Sequence, residues 1–246
     1  MNLPRKINPD NLIETIVEVR IIPKCPSELW AGMVSAPLMN LGYKYIPAPQ
    51  LNVRLDKNGK TTVSLNRSEE NASSGIFVKE NIRFIMDGNS VSFNCNMGHY
   101  VGWESYLKEI KDVINTIQEC GITQNFNRVQ IRYISEYQDI DIIDHINGDI
   151  CIGDKSNPFK SQEIKLNRID GNMKIFVSLT NKMKRRNLRG EERFVSLFDV
   201  NIYENFEDSD SIETVSTLLD KIHRIEKETF FGLLKQDFIQ SLNPEY

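Results

Sequence analysis

The chain has 246 residues, 40% of them hydrophobic and 26% charged, and it carries a formal net charge of −4. This length suits one large domain or two small ones with a sizeable core. The acidic balance excludes a protein coated in basic residues for nucleic acid and leaves room only for a local basic patch. No apolar run approaches the roughly 18 residues of a membrane-spanning helix, and the polar N-terminus does not resemble a secretory signal. Four widely separated cysteines are typical of reduced thiols, so we expect a cytosolic protein.

The first part of the chain predicts a strand, a short helix and an antiparallel meander. Residues 11–22 alternate apolar with charged side chains, which is the period-two pattern of a strand with one charged face. Residues 27–36 carry an apolar helical face, and residues 41–49 are expected to be irregular. Turn-like sequences then separate three strand patterns, which favours consecutive antiparallel strands. These patterns lie at 50–55, 61–66 and 76–86.

The clearest periodicity lies in residues 90–138, which predict a strand, a helix and a second strand. Residues 91–96 alternate apolar and polar side chains. From Trp103 the apolar residues fall three or four apart, so we expect a helix that ends where Gly121 can adopt a left-handed conformation. Residues 129–135 alternate again, and one sheet with a helix across it accounts for the whole stretch.

The residue pattern changes after Gln138, where acidic residues alternate with isoleucine. We predict a boundary between two lobes there. A final helix over 212–234 begins with the capping-box spacing of Asp210 and Glu213. Before it, we predict strands at 164–169, 172–181 and 194–203 and a charged loop at 182–193. The expected fold is α+β, with largely antiparallel sheet covered by amphipathic helices. Its two related lobes, residues 1–138 and 139–246, are expected to pack as one compact body.

Five segments carry a resemblance to a known family. They are VEVRI at 17–21, YVGWESY at 100–106, IRYIS at 131–135, LFDVNIY at 197–203, and the pair Leu219 and His223. Over nearly its whole length the chain resembles an uncharacterised, sporadically distributed bacterial protein family of unknown function, which usually has Asn where this chain has Ser135. The resemblance implies a two-part α+β body and a gene in an accessory or defence locus, and it implies no particular activity.

A run of basic residues before the last predicted strand is the first candidate site. Its members are Lys182, Lys184, Arg185, Arg186, Arg189 and Arg193. At the tip of a hairpin such side chains can contact phosphates and release counterions, with Arg185 and Arg186 as the principal contacts. The alternative is a solvated loop whose charge is offset by Glu191 and Glu192.

Arg20 and Arg132 are the second candidate site. Each lies in the middle of a predicted strand, so each can point to a solvated face or a cavity, and together they predict an anion-binding cleft. The alternative is that each arginine pairs with a neighbouring carboxylate, Glu18 or Glu136.

Several other residues could bind a metal or transfer a proton, but they do not form a recognised motif. An acidic stretch could hold a hard cation through oxygen ligands, but it lacks a calcium-loop pattern and also fits a charged strand edge, so no metal is assigned. Among the three histidines, only His145 has an adjacent acidic residue, Asp144, to orient a general base. The acidic stretch comprises Asp139, Asp141, Asp144, His145 and Asp149, and the other histidines are His99 and His223.

Five aromatic residues near the central helix can line a pocket. They are Tyr100, Trp103, Tyr106, Tyr133 and Tyr137. Trp103 falls in the apolar stripe of the helix, so we predict that it belongs to the core.

The sequence contains no GxxxxGK[ST] loop, GxGxxG turn, GxSxG elbow, HExxH or CxxC motif. We therefore predict a non-enzymatic cytosolic binding protein, without catalytic residues or cofactors, that acts through a protein partner. The alternative is a nucleic-acid or nucleotide-phosphate binder that uses the basic run at 182–193. A third interpretation is a hydrolase built on Asp144, His145 and a metal. The sequence leaves the partner and the oligomeric state open, and a homo-oligomer is compatible with it.

Overall fold

The computed structural model describes residues 3–47, 50–55, 61–66, 75–95, 100–148, 162–186 and 190–246. The strands within these ranges are β1 (Leu12–Pro23), β2 (Lys44–Pro47), β3 (Gln50–Leu55), β4 (Thr61–Asn66), β5 (Gly75–Lys79), β6 (Ile82–Asp87), β7 (Ser90–Cys95), β8 (Thr123–Gln138), β9 (Gln162–Asp170), β10 (Met173–Arg186) and β11 (Glu192–Ser209). The helices are α1 (Trp30–Asn40), α2 (Trp103–Glu119), α3 (Ile212–Leu233) and α4 (Gln236–Ser241).

Nine of these strands form one sheet in the order β2-β5-β6-β7-β1-β8-β11-β10-β9, and β3 pairs with β4 as a separate hairpin. Neighbouring strands are antiparallel throughout the sheet. The meander β5-β6-β7 follows the chain directly, whereas β1 is inserted between β7 and β8. The predicted α+β class with a largely antiparallel sheet is confirmed.

The predicted division into two lobes at residue 138 is not confirmed, because the sheet is continuous across it. β8 ends the first predicted lobe and β11 belongs to the second, yet the two strands pair along most of their length, from Gln138 opposite Val195 to Phe126 opposite Ser209. A ladder of this length fixes the two halves of the chain to each other through backbone hydrogen bonds.

One face of the sheet is apolar and carries the helices. Val17, Ile131 and Ile202 follow one another across the three central strands, and all three are fully buried. α3 contacts β8 and β11, and α2 lies against β8, α1 and α3. At the far end of α3, the ring of Phe230 lies 4.9 Å from that of Phe198 on β11. Burying each such side chain contributes about 1.5–3 kcal/mol, so this face holds the core.

The opposite face, which we call the open face, carries polar and aromatic side chains that are only half-buried. Glu18 and Arg20 of β1, Arg128 and Arg132 of β8, and Tyr203 of β11 all point to it, because they alternate with the buried residues of their strands. Antiparallel sheets commonly cover one face and leave the other to solvent.

Several strands run further than the sequence predicts. β10 continues to Arg186 and β11 starts at Glu192, so most of the basic run lies in a paired hairpin rather than in a loop. Residues 44–47, expected to be irregular, pair with β5 as an edge strand. Neighbouring strands supply the backbone partners in both cases, which local composition does not reveal.

α3 begins at Ile212 as predicted, but its N-cap lies one residue later than expected. Ser211, not Asp210, is its N-cap, and the Ser211 hydroxyl accepts a hydrogen bond from the Thr214 backbone N–H at 3.1 Å.

Within the described residues, no helix is both long and apolar enough to cross a membrane.

Candidate anion-binding site

Arg20 of β1 and Arg128 of β8 lie directly opposite each other in the antiparallel register. Side chains at opposite positions share a face with Cβ atoms about 4.5–5.5 Å apart, so two guanidinium groups meet on the open face. The Nε atom of each arginine is buried without a hydrogen-bond partner. Burial lowers the pKa of Arg128 from its ordinary value and neighbouring Arg20 adds to this, whereas Glu18 and Tyr203 oppose it. Two like charges with unsatisfied donors are thus held side by side.

Irregularities on both sides of β8 give Arg128 this position. The register between β1 and β8 shifts just beyond the Arg20–Arg128 pair and leaves Asn127 as an extra residue in β8. The register between β8 and β11 breaks at the same level, immediately after Asn205. Such β-bulges re-aim side chains and are over-represented next to functional sites.

Two aromatic rings continue the row from Arg128 across the sheet. The Arg128 guanidinium carbon lies 3.8 Å from the centre of the Tyr203 ring, which is a close cation–π contact. The Tyr203 ring stacks in turn on Phe176 of β10, with 5.9 Å between centroids and 19° between planes. Phe176 is 39% exposed. We call these four residues on four successive strands, Phe176, Tyr203, Arg128 and Arg20, the aromatic–arginine strip.

Arg132, the other predicted cleft residue, binds Asp199 of β11. Its Nε donates to the two carboxylate oxygens at 3.0 and 3.1 Å, and its Nη2 donates to one of them at 2.6 Å. These hydrogen bonds raise the pKa of Arg132. Arg132 lies four residues from Arg128, about 13 Å along the strand. The structure therefore does not bring Arg20 and Arg132 into one cleft, and Arg128 occupies the position beside Arg20.

The β10–β11 hairpin carries the basic run, and we call it the basic hairpin. Its Arg185 and Arg193 contact one buried carboxylate, Glu136 of β8. Arg185 Nη1 donates to Glu136 in a very short contact, and Arg193 Nη2 lies 3.9 Å from the same carboxylate. The Glu136 side chain is 4% exposed. A buried carboxylate needs such partners to offset the loss of hydration, so these two cations have a structural use.

The remaining described cations of the hairpin are also paired. Lys184 and Arg186 contact Glu192 at 3.6 and 2.8 Å. Lys182 forms a 2.5 Å ion pair with Asp141. Arg189 lies outside the described residues. The expectation that this run binds phosphate stays a prediction, and a ligand would have to compete with these carboxylates.

Asp141, from the acidic stretch, is held by the protein itself. Asn181 is buried, donates to the Asp141 carboxylate at 2.8 Å and accepts from the Ile142 backbone N–H at 2.9 Å. Burial alone would raise the pKa of Asp141, but Lys182 and Asn181 bring it below its ordinary value. The next residues form a 3-10 turn, Ile142–His145, rather than a strand edge.

The described part of the chain contains no group of three or more His, Cys, Asp or Glu side chains placed to hold a metal ion. His145 stacks on Phe238 of α4, with 4.2 Å between ring centroids. Asp149, His99 and the fourth cysteine, Cys151, lie outside the described residues.

A second polar cluster is buried between β8, α2 and α3. The hydroxyl groups of Tyr100 and Tyr133 lie 2.9 Å apart. The His223 ring stacks on Trp103 with 4.1 Å between centroids, and its Nδ1 atom is buried without a hydrogen-bond partner. Glu226, the next buried residue after His223 on α3, is only 3% exposed.

Burial shifts the pKa values of this cluster in opposite directions. It raises the pKa of Glu226 to about 8, against the effect of Lys227, and lowers that of His223 to about 3, with Lys227 adding to the shift. Burial also raises the pKa values of Tyr100 and Tyr133. All four groups are therefore neutral at pH 7. Strongly shifted groups can mark active sites, but Tyr100, Tyr133 and His223 are packed in ring contacts and Glu226 is 3% exposed, so we assign the cluster to the core.

An open groove of about 450 Å³ lies elsewhere, between β9, β10 and the C-terminal half of α3. Leu166 and Val177 form its sheet side, and Ile225 and Leu233 its helix side. Its lining is mixed apolar and polar, and the titratable clusters described above lie outside it.

Sequence reasoning identified Arg20 but missed the other three members of the strip. The alternation of β8 places Arg128 in phase with Gln130 and Arg132, so its face was readable from the sequence. Its partner was not, because Arg20 and Arg128 belong to distant segments whose pairing is set by the sheet order and a bulge. Phe176 and Tyr203 were missed for the same reason, because their contacts are also with residues on other strands.

Glu226 was missed for a different reason. A glutamate on a helix is usually solvated, although this one falls four residues from both Ile222 and Phe230 on the buried stripe of α3. That spacing was the available signal.

No protein-family model matches this chain, and a comparison with curated proteins finds no match either. The resemblance to a sporadically distributed bacterial family therefore stays a prediction.

Proposed function

We propose that this protein is a non-enzymatic binding protein that takes up an anionic group, the phosphate of a nucleotide or nucleic acid, on the open face of its sheet. The observation that carries the proposal is the Arg20–Arg128 pair, with its two unsatisfied Nε donors. The proposal keeps the phosphate chemistry expected from the sequence and moves it from the basic hairpin to the centre of the sheet.

Two adjacent arginines repel each other, and an anion bound between them would offset this repulsion. Like charges directly opposite each other destabilise an antiparallel pair, and a buried donor without an acceptor costs about 1–3 kcal/mol. A phosphate offers several acceptor oxygens and a charge of opposite sign, and hydrogen bonds between charged groups are the strong ones. Arg128 is held for this role by its contact with Tyr203.

The cations of the basic hairpin support a phosphate site less well, because those described are already paired with Glu136, Glu192 and Asp141. The expected protein partner and cytosolic location are compatible with the proposal and stay predictions. A macromolecular partner that carries phosphate would satisfy both expectations.

Calorimetric titration with pyrophosphate at low ionic strength tests the proposal. Arg20→Gln and Arg128→Gln are each expected to weaken binding about tenfold or more, since each removes charge-assisted hydrogen bonds. Arg224→Gln, at an exposed position on α3, is the matched control and should bind like the wild type. Equal affinity in all four proteins, or no binding by the wild type, would refute the site. Hydrolysis of added ATP that disappears in one folded point variant would refute the non-enzymatic part.

A further inference from the structure

We propose that the ligand is a single-stranded nucleic acid, which crosses β10, β11, β8 and β1 with a base on Phe176 and a phosphate between Arg128 and Arg20. This inference rests on the proposed function and names its ligand. Its basis is that the arginine pair is one end of a continuous row whose other end is an exposed aromatic ring.

The two aromatic residues of the strip have different uses. The Tyr203 ring is engaged by Phe176 and by the Arg128 guanidinium, so it positions the cation. Phe176 is 39% exposed, so part of its side chain is accessible to solvent. Every base has a π-face, so stacking on an aromatic ring is the sequence-tolerant way to hold an unpaired strand.

The length and charge of the strip fit a short piece of a single strand. Phe176 and Arg20 are separated by three strand intervals of about 4.8 Å, roughly 14 Å in all, which a few nucleotides can span. Lys174 lies beside the strip, with its Nζ 5.7 Å from the centre of the Tyr203 ring. Three cations, Arg20, Arg128 and Lys174, therefore lie along the strip, and the charge of Glu18 acts on Arg128.

The shape of the surface favours an unpaired strand over a duplex. The strip lies flat along a sheet, and its aromatic ring can stack only on a base that is not already stacked between neighbours. A duplex would present its phosphates to Arg20 and Arg128 but would gain nothing from Phe176. The contribution of Phe176 therefore separates the two kinds of nucleic acid.

Fluorescence anisotropy with labelled single-stranded oligonucleotides of about 10 nucleotides tests the inference. Phe176→Ala and Phe176→Leu should each weaken binding by about 5- to 100-fold, because the stacking of one base is lost. Phe194→Ala is the matched control, since Phe194 is 43% exposed on β11 but lies outside the strip, and it should bind like the wild type. Arg20→Gln should weaken binding and reduce the salt slope by about one ion.

The outcomes separate this inference from the proposed function. Pyrophosphate binding should weaken much less than oligonucleotide binding in Phe176→Ala, because pyrophosphate contacts the arginine pair and no aromatic ring. If Arg20→Gln loses pyrophosphate and oligonucleotide while Phe176→Ala loses neither, the phosphate site stands and the single-strand inference is refuted. The inference also fails if duplex binds as tightly as single strand, if Arg185→Ala with Arg186→Ala abolishes binding while the strip variants keep it, or if phosphatidylserine vesicles bind with the same dependence on Phe176.

Discussion

Arg20 and Arg128 face each other across adjacent antiparallel strands, and neither Nε atom has a hydrogen-bond partner. On the same face, Arg132 is neutralised by the bidentate carboxylate of Asp199. The two positions differ in their partners, because Arg132 binds a carboxylate whereas Arg128 donates from its Nη2 to the uncharged amide oxygen of Gln130 at 2.6 Å. An arrangement that costs stability in the free protein is typical of a site shaped for a ligand.

We predict that Arg20→Leu raises the free energy of unfolding at low ionic strength by about 0.5–1 kcal/mol, because it removes the repulsion with Arg128 and one unsatisfied donor. The gain should shrink as salt screens the charges. Urea denaturation at low and high salt measures it. Arg132→Leu is the matched control and should lower stability, since it leaves the Asp199 carboxylate without its partner. A loss of stability in Arg20→Leu would contradict the repulsion.

We predict that Glu226 makes the protein less stable as the pH rises from about 4.5 to about 8. Burial raises the folded-state pKa to about 8 from the ordinary 4.5. In this window the unfolded chain loses the proton and the folded protein keeps it, so stability is complete below pH 4.5 and falls as the pH rises through 8. At about 1.4 kcal/mol per pH unit, the total effect is about 5 kcal/mol.

Urea denaturation of wild type and Glu226→Gln at several pH values checks this prediction. The amide cannot ionise, so the stability of the variant relative to wild type should increase by about 4–5 kcal/mol between pH 4 and pH 8.5. His223 loses its stabilising contribution in acid, as the pH falls from 6.5 toward 3, and both proteins share that dependence. Parallel stability curves would show that Glu226 is ionised in the folded protein at neutral pH.

Arg185 and Arg186 are neighbours with different expected costs. Arg185 contacts the buried carboxylate of Glu136, whereas Arg186 contacts the half-exposed Glu192. We therefore expect Arg185→Ala to lower the free energy of unfolding by about 1–3 kcal/mol, because it weakens the compensation of a buried charge. Arg186→Ala should change it by less than about 0.5 kcal/mol. Thermal denaturation of the two variants side by side gives the comparison, and equal effects would contradict the structural role of Arg185.

The alternation of β1 and β8 and the helical stripe of α2 could be predicted, because each pattern depends only on which side of a single element is buried. The limits of the β10–β11 hairpin could not, since Lys182 to Arg186 have the composition of a loop and become strand only through their pairing with β11. The N-cap moved from Asp210 to Ser211 for a local reason that composition does not decide, because both residue types cap helices well.

The sequence by itself determined the α+β class, the largely antiparallel pairing, the apolar faces of β1 and β8 and the presence of arginines on the opposite face. Only the tertiary structure decided that Arg20 meets Arg128 and not Arg132, that Phe176 and Tyr203 extend this pair into a strip, and that one sheet runs through both halves of the chain. The physical reason is that side-chain periodicity is set within a segment, whereas strand order and register are set by hydrogen bonds and packing between segments far apart in the chain.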